Sequence, residues 1–228
     1  FVGAVMRRAA GPLAGYRRRA LDNLALIHPG WPEARRRAVA DEVLDNVGRT
    51  LIENYAWRDL RERLPLSAAT GPGLAAVEEA QARGQAVVLL TGHFGNHMTP
   101  IHALTQRGLK VGGMYRAMDN PFVNAHYAAT FADLSGPSFP KGKRGNLGFV
   151  RHLAGGGAAM LLFDLREASG IPLPFLGRPA LTATTGADLA LRFEALLVTA
   201  WGVRRPDGLS FDVRFDAPIS PSTGREMM

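Results

Sequence analysis

Two histidines four positions apart, His93 and His97, stand in the stretch LLTGHFGNHMTP (Leu89 to Pro100), directly after an apolar run. Imidazole titrates near neutrality and suits a general base. Gly92 and Gly95, flanking His93, let a substrate approach the backbone closely. The alternative for His93 is a structural histidine, hydrogen-bonded at a loop. On a helix, His93 and His97 would share one face as zinc ligands do. Phe94, however, occupies the position of the Glu in an HExxH motif. Thr99-Pro100 reads as an N-cap and first helical residue, which leaves both histidines in a loop. No metal is expected, and His97 reads as part of the pocket wall or rim.

The elements that must position these residues follow from periodicity. From Leu13 to about Leu64 the pattern is helical, punctuated at His28 to Pro32, and predicts a two-helix hairpin. After Ala69–Gly73 it changes to alternating helix and strand. Strands are predicted over Ala86–Leu90, Lys110–Tyr115, Ala158–Asp164, Ala195–Trp201 and Leu209–Phe215. Helices are predicted over Leu74–Arg83, Ile101–Gln106, Pro121–Leu134, Leu147–Leu153 and Ala187–Phe193. Such alternation implies an α/β fold, with a mostly parallel or mixed central sheet covered by helices. Two regions follow, a basic helical one over 1–68 and an α/β core over 69–228. Gly170 to Gly186 reads as a long Pro/Gly-rich loop of the functional kind, and Gly155–Gly157 as a turn into the next strand.

Net charge is +7 over 228 residues, and residues 1–37 hold eight arginines against two acids. A basic helical N-terminus suggests an anionic membrane surface or nucleic acid. Beyond charge the chain carries no nucleic-acid-binding motif, so that partner is not expected. No apolar run reaches the ~20 residues that span a bilayer, although FVGAVMRR at the start could be the tail of an anchor. There is no cysteine, which excludes disulfide and thiolate chemistry.

Further residues could carry chemistry. Asp164 ends a buried strand, in either a catalytic or a capping role. Arg116 follows a strand and could grip a phosphate or pair with Asp119. Lys141, Lys143 and Arg144 cluster in a chain with three lysines, as a phosphate nest, a docking site for an acidic carrier, or a solvated loop. Phe94, Met98, Phe122, Phe131, Phe149 and Phe175 could line an apolar groove or simply fill the core.

TGHFGNHM resembles the first motif of the bacterial lipid A late acyltransferases, in the lysophospholipid acyltransferase superfamily. MYRAMDNP (Met114 to Pro121) resembles the second block, with Arg116 and Asn120-Pro121. LLFDLREASGIPLPFLGRPALTATTGADLAL resembles the third, where an Asp-containing strand end leads to a Phe-x-Gly-Arg loop. The N-terminal helical stretch is similar too, while the C-terminal end looks incomplete. The resemblance implies a glycerol-phosphate acyltransferase-like fold. It also implies acyl transfer from an acyl-carrier-protein or acyl-CoA thioester to a hydroxyl of a membrane glycolipid. The thioester is a co-substrate, and no cofactor is required. His93 would be the base, and Gly95, Asn96, Arg116, Asn120, Gly177 and Arg178 would bind substrate. Arg178 would hold the acceptor phosphate or the carrier's phosphopantetheine. The implied location is the cytoplasmic face of the bacterial inner membrane, where lipopolysaccharide precursors are made.

One position departs from the resembled pattern. The family places a carboxylate five residues after its histidine, where it orients the imidazole; here Met98 stands there. By analogy with losing a triad aspartate, its absence would cost on the order of 10⁴ in rate. Three explanations follow: a relocated orienting group, for which Asp164 is the candidate, a deliberately altered sequence, or a non-catalytic lipid-binding relative.

Overall fold

The computed structural model of the chain describes residues 1–63, 65, 69–134 and 136–220. Leu64, the last residue of the expected helical stretch, lies outside them, as do residues 221–228. The side chain of Phe131 is likewise not described. The chain forms two compact units. One is Phe1–Trp57 with the short segment Pro174–Pro179; the other is Arg58–Leu173 with the chain from Ala180 onward.

In the first unit the chain is helical from its start. Helix α1 (Val2–Val5) passes through a π-helical stretch (Met6–Ala10) into α2 (Gly11–Leu13). Gly15, at φ +75°, then breaks the helix before α3 (Tyr16–Ile27). The link to α4 (Glu33–Tyr55) is braced by stacking of His28 on Trp31 at 3.8 Å, with the Arg35 guanidinium over the indole. The expected hairpin is therefore α3 and α4, joined by an ion pair between Arg17 and Asp41. The α1/α2 segment was not foreseen. It packs on α4 through small residues: a Cβ on Gly48 would lie 2.8 Å from Gly3 Cα.

The second unit is built on a seven-stranded sheet. Its strands are β1 (Ala69–Thr70), β2 (Val87–Thr91), β3 (Val111–Tyr115), β4 (Ser138–Pro140), β5 (Ala158–Leu162), β8 (Leu196–Arg204) and β9 (Phe211–Phe215). Their order is β1-β9-β8-β2-β5-β3-β4. All neighbours are parallel except β8 and β9, which are antiparallel. Strand β2 is central, and its continuous apolar run VVLLT suits burial on both faces. Helices α6 (Pro72–Ala82) and α7 (Thr99–Thr105) cover one face, and α9 (Lys143–Ala154) and α10 (Thr185–Arg192) the other. Val88, Phe149, Leu153, Ala159 and Leu189 form the core on the α9/α10 side. Helices α5 (Trp57–Arg63) and α8 (Pro121–Leu134) complete the set among the described residues.

Three expectations need correction. The segment expected to be a Pro/Gly-rich loop is mostly a two-stranded ribbon, β6 (Arg166–Phe175) and β7 (Arg178–Thr182). Both strands are edges, so Pro172, Pro174 and Pro179 can sit where no ladder hydrogen bond is required. Its tight turn places Leu176 at φ +50° and Gly177 at φ +76°, both left-handed as a two-residue hairpin requires. Helix α9 begins at Lys143 rather than Leu147, and α10 at Thr185 rather than Ala187. The two-residue β1 and three-residue β4 went unseen because neither is long enough to show alternation.

One contact decides where the chain goes after β2. Gly95 forms a bridge with Gly202 of β8 and sits at φ +55°. A Cβ on Gly95 would lie 1.8 Å from the Gly202 carbonyl oxygen. A Cβ on Gly202 would lie 2.0 Å from Thr99 Oγ1 and 2.3 Å from the Asn96 carbonyl oxygen. Gly202→Ala is expected to destabilise the protein by about 3 kcal/mol, the upper end of overpacking effects. Gly113→Ala, with open space at its Cβ, serves as the control. Thermal unfolding should separate the two by several degrees, at about 2–4 °C per kcal/mol; equal melting points would show that the loop tolerates a side chain there.

Candidate active site

The site forms where two parallel strands end side by side. Thr91 of β2 is in register with Leu162 of β5, and Phe163 N–H donates to the Thr91 carbonyl at 3.1 Å. The next residues, Gly92-His93 and Asp164, therefore leave the sheet together at the carboxyl ends of the strands. Ligands of open α/β sheets bind at this edge. Asp164 Oδ2 accepts the backbone N–H of His93 at 2.6 Å, and Oδ1 lies 2.9 Å from His93 Nδ1. Gly92 makes room for this grip, since a Cβ there would sit 3.1 Å from Oδ2.

The chemistry follows from the acceptor. An ionised carboxylate accepts only, so the proton between the two groups belongs to Nδ1 and the lone pair to Nε2. The His93 side chain is 49% exposed and Asp164 36%, so Nε2 is open to a substrate. An imidazole with one fixed tautomer, a free lone pair and a carboxylate behind it can take a proton and hold the resulting charge.

The loop that follows is locked by its backbone together with the side chains of Asn96 and Thr99. Asn96 is 0% exposed: its N–H donates to the Gly202 carbonyl at 3.1 Å, and its Oδ1 accepts the Met98 N–H at 3.0 Å. Its carbonyl accepts both the N–H and the hydroxyl of Thr99, at 3.1 and 2.9 Å. Asn96 thus has no surface to offer a substrate, and Gly95 acts through its backbone against β8. Met98 is 6% exposed and occupies the N-cap position of α7, one residue earlier than Thr99. His97 is half-buried, its ring edge-on to that of His93 at 5.3 Å between centroids. Burial, then the charge of His93, lowers its pKa to about 4, with Asp164 opposing.

The other expected residues are distributed differently. Arg116 follows β3, is exposed, and has no ion-pair or hydrogen-bond partner among the described residues; Asp119 does not pair with it. Asn120 caps α8, its Oδ1 accepting the N–H groups of Phe122 and Val123 at 3.0 and 3.3 Å. Gly177 lies in the turn of the β6–β7 ribbon and Arg178 beside it, in the segment that belongs to the N-terminal unit. Lys141, Lys143 and Arg144 are exposed around the start of α9, and Lys141 N–H donates to the Tyr115 carbonyl at 2.8 Å. Of the expected groove residues, Phe149 is core and Met98 is buried, whereas Phe94 is 56% exposed beside His93.

Sequence reasoning missed the wall on the β8 side. Trp201 meets Phe94 edge-on at 6.5 Å and Phe163 at 6.2 Å, while its Nε1–H donates to Asp216 Oδ2 at 2.8 Å. The signal was Gly202 directly after Trp201, because a glycine inside a strand marks a close backbone approach.

The sequence model of the family described as "Bacterial lipid A biosynthesis acyltransferase" matches residues 1–227. The chain belongs to that family. No curated protein matches the chain significantly. Family membership makes the chain a bacterial acyltransferase of lipid A biosynthesis type, acting on a lipid acceptor with an acyl donor.

The titration of His97 is open to direct measurement. It is neutral in the folded protein from neutrality down to about pH 4, whereas in the unfolded chain it would charge near 6.5. The unfolded state then binds more protons between those values, so stability falls as pH drops through this window and the loss is complete below it. Imidazole NMR shifts of His97 should stay those of the neutral ring down to about pH 4. Titration near pH 6.5 would contradict the burial described.

Proposed function

We propose that the protein transfers a fatty acyl chain from a thioester to a hydroxyl of a membrane glycolipid of the lipid A precursor type, with His93 as general base. The observation that carries this reading is the double grip of Asp164 on His93, which frees Nε2 at an exposed strand end. Nε2 takes the proton of the acceptor hydroxyl as its oxygen bonds to the acyl carbon. The carbon–sulfur bond of the thioester breaks, and the imidazolium returns the proton to the departing thiolate. Ester and thiol are the products. Asp164 fixes the tautomer and stabilises the imidazolium, the part expected of a carboxylate at position 98.

The donor is an acyl-carrier-protein or acyl-CoA thioester. Arg116, Lys141, Lys143 and Arg144 give the edge beyond β3 and β4 a positive surface suited to its phosphate or to an acidic carrier. Exposed Phe94, with the half-buried Phe163 and Trp201 in ring contact beside it, offers apolar surface beside the base. Work at the cytoplasmic face of the inner membrane is supported by α4, whose Val43, Val47, Leu51 and Tyr55 are exposed at four-residue spacing in a unit rich in arginine. Among the described residues no helix is long and apolar enough to cross a membrane. Met98 favours one second reading, a lipid-binding relative without turnover.

Acyl transfer from acyl-carrier-protein and acyl-CoA donors to a lipid A precursor in vesicles separates the readings. The unaltered protein should turn over, and His93→Ala should lose about 10²–10⁴ in kcat. Asp164→Asn should lose on the order of 10⁴ with KM little changed. Met98→Leu should stay within a few-fold of the unaltered protein. Turnover that appears only in Met98→Glu, or lipid binding with no turnover in any form, would establish the second reading.

A further inference from the structure

Attack on a thioester puts negative charge on its carbonyl oxygen, and a hydrogen-bond donor about 2.7–3.1 Å from that oxygen lowers the barrier. A strand-to-helix turn commonly supplies backbone N–H groups for this. Here those of His93, Asn96, Met98 and Thr99 are already bonded, to Asp164 Oδ2, the Gly202 carbonyl, Asn96 Oδ1 and the Asn96 carbonyl. These four are therefore not available, and a side-chain donor on the same turn can act beside any backbone N–H that remains. Asp164 is an acceptor and cannot serve. The ring of His97 faces that of His93 at 5.3 Å and 62° between planes. No group among the described residues hydrogen-bonds its nitrogens, and neither nitrogen is sealed from solvent.

We propose that His97 is a second catalytic residue, donating a ring N–H to the thioester carbonyl oxygen as it becomes an oxyanion. This rests on the acyl-transfer reading. The lowered pKa of His97 supports it: a neutral imidazole donates without competing with His93 for the proton, and without repelling the imidazolium that forms. The hydroxyl proton still goes to His93 and the carbon–sulfur bond still breaks. His97 keeps its own proton throughout.

The test compares His97→Phe, which keeps a ring without a donor, with His97→Gln, which keeps an N–H, in steady-state acyl transfer. His97→Phe should lose about 10²–10³ in kcat with KM within about three-fold, and His97→Gln should recover at least about ten-fold of that loss. His97→Met, similar in length to Gln and without a donor, replaces the Phe variant if circular dichroism shows that it does not fold. The proposal is overturned if the donorless variant keeps its kcat, if its loss lies in KM alone, or if Gln restores nothing. Loss of activity in His93→Ala alongside an active His97→Phe overturns this proposal alone. No turnover in the unaltered protein, or full turnover in His93→Ala, removes the acyl-transfer reading and this inference with it.

Discussion

The carboxylate of Asp164 binds two parts of His93 at once, its main-chain N–H and its ring Nδ1. Everything at the carboxyl edge of the sheet is arranged so that this can happen. Strands β2 and β5 must be parallel neighbours in a register that brings both chains off the sheet at one level. Gly92 must lack a side chain, or the carboxylate would be held away. The N–H bond fixes where the residue is, and the ring bond fixes which way it points. The imidazole is thus held from two directions without a contribution from the helix that follows.

Much of this was legible in the sequence, for identifiable reasons. The buried strands β2 and β5 are continuous apolar runs, and the α/β alternation between them is strong, so fold class and the location of His93 follow directly. Asp164 was legible as a strand end and as a candidate orienting group, but its contact with His93 was not, because spatial adjacency of β2 and β5 depends on strand order, which periodicity does not encode. Asn96 and Asn120 were given as substrate-binding residues by the family resemblance; in the structure each has its side-chain oxygen on backbone N–H at a helix start. The β6–β7 ribbon was hidden by its prolines, which edge strands tolerate. Trp201 was hidden by lying inside an ordinary apolar strand.

Met98 changes meaning in this light. Read along the chain it is a missing carboxylate. In three dimensions it is a buried residue at the start of α7, while a carboxylate from a different strand already occupies Nδ1 of His93. The ring has one Nδ1–H to give, and it is given. A second carboxylate introduced at position 98 would have to displace Asp164 or sit buried without that partner, which costs free energy.

The pair Gly95 and Gly202 has a consequence for how this surface can vary. The turn after β2 is held by main-chain atoms: Gly95 against Gly202, the Asn96 N–H on the Gly202 carbonyl, and the Thr99 N–H on the Asn96 carbonyl. None of these contacts uses the side chain of residue 97 or 98. The scaffold therefore separates shape from chemistry at these two positions, and side chains there can be exchanged without redrawing the path of the loop. A histidine held by Asp164, beside positions whose side chains do not set the path of the loop, is an arrangement in which new specificity can arise without loss of the fold.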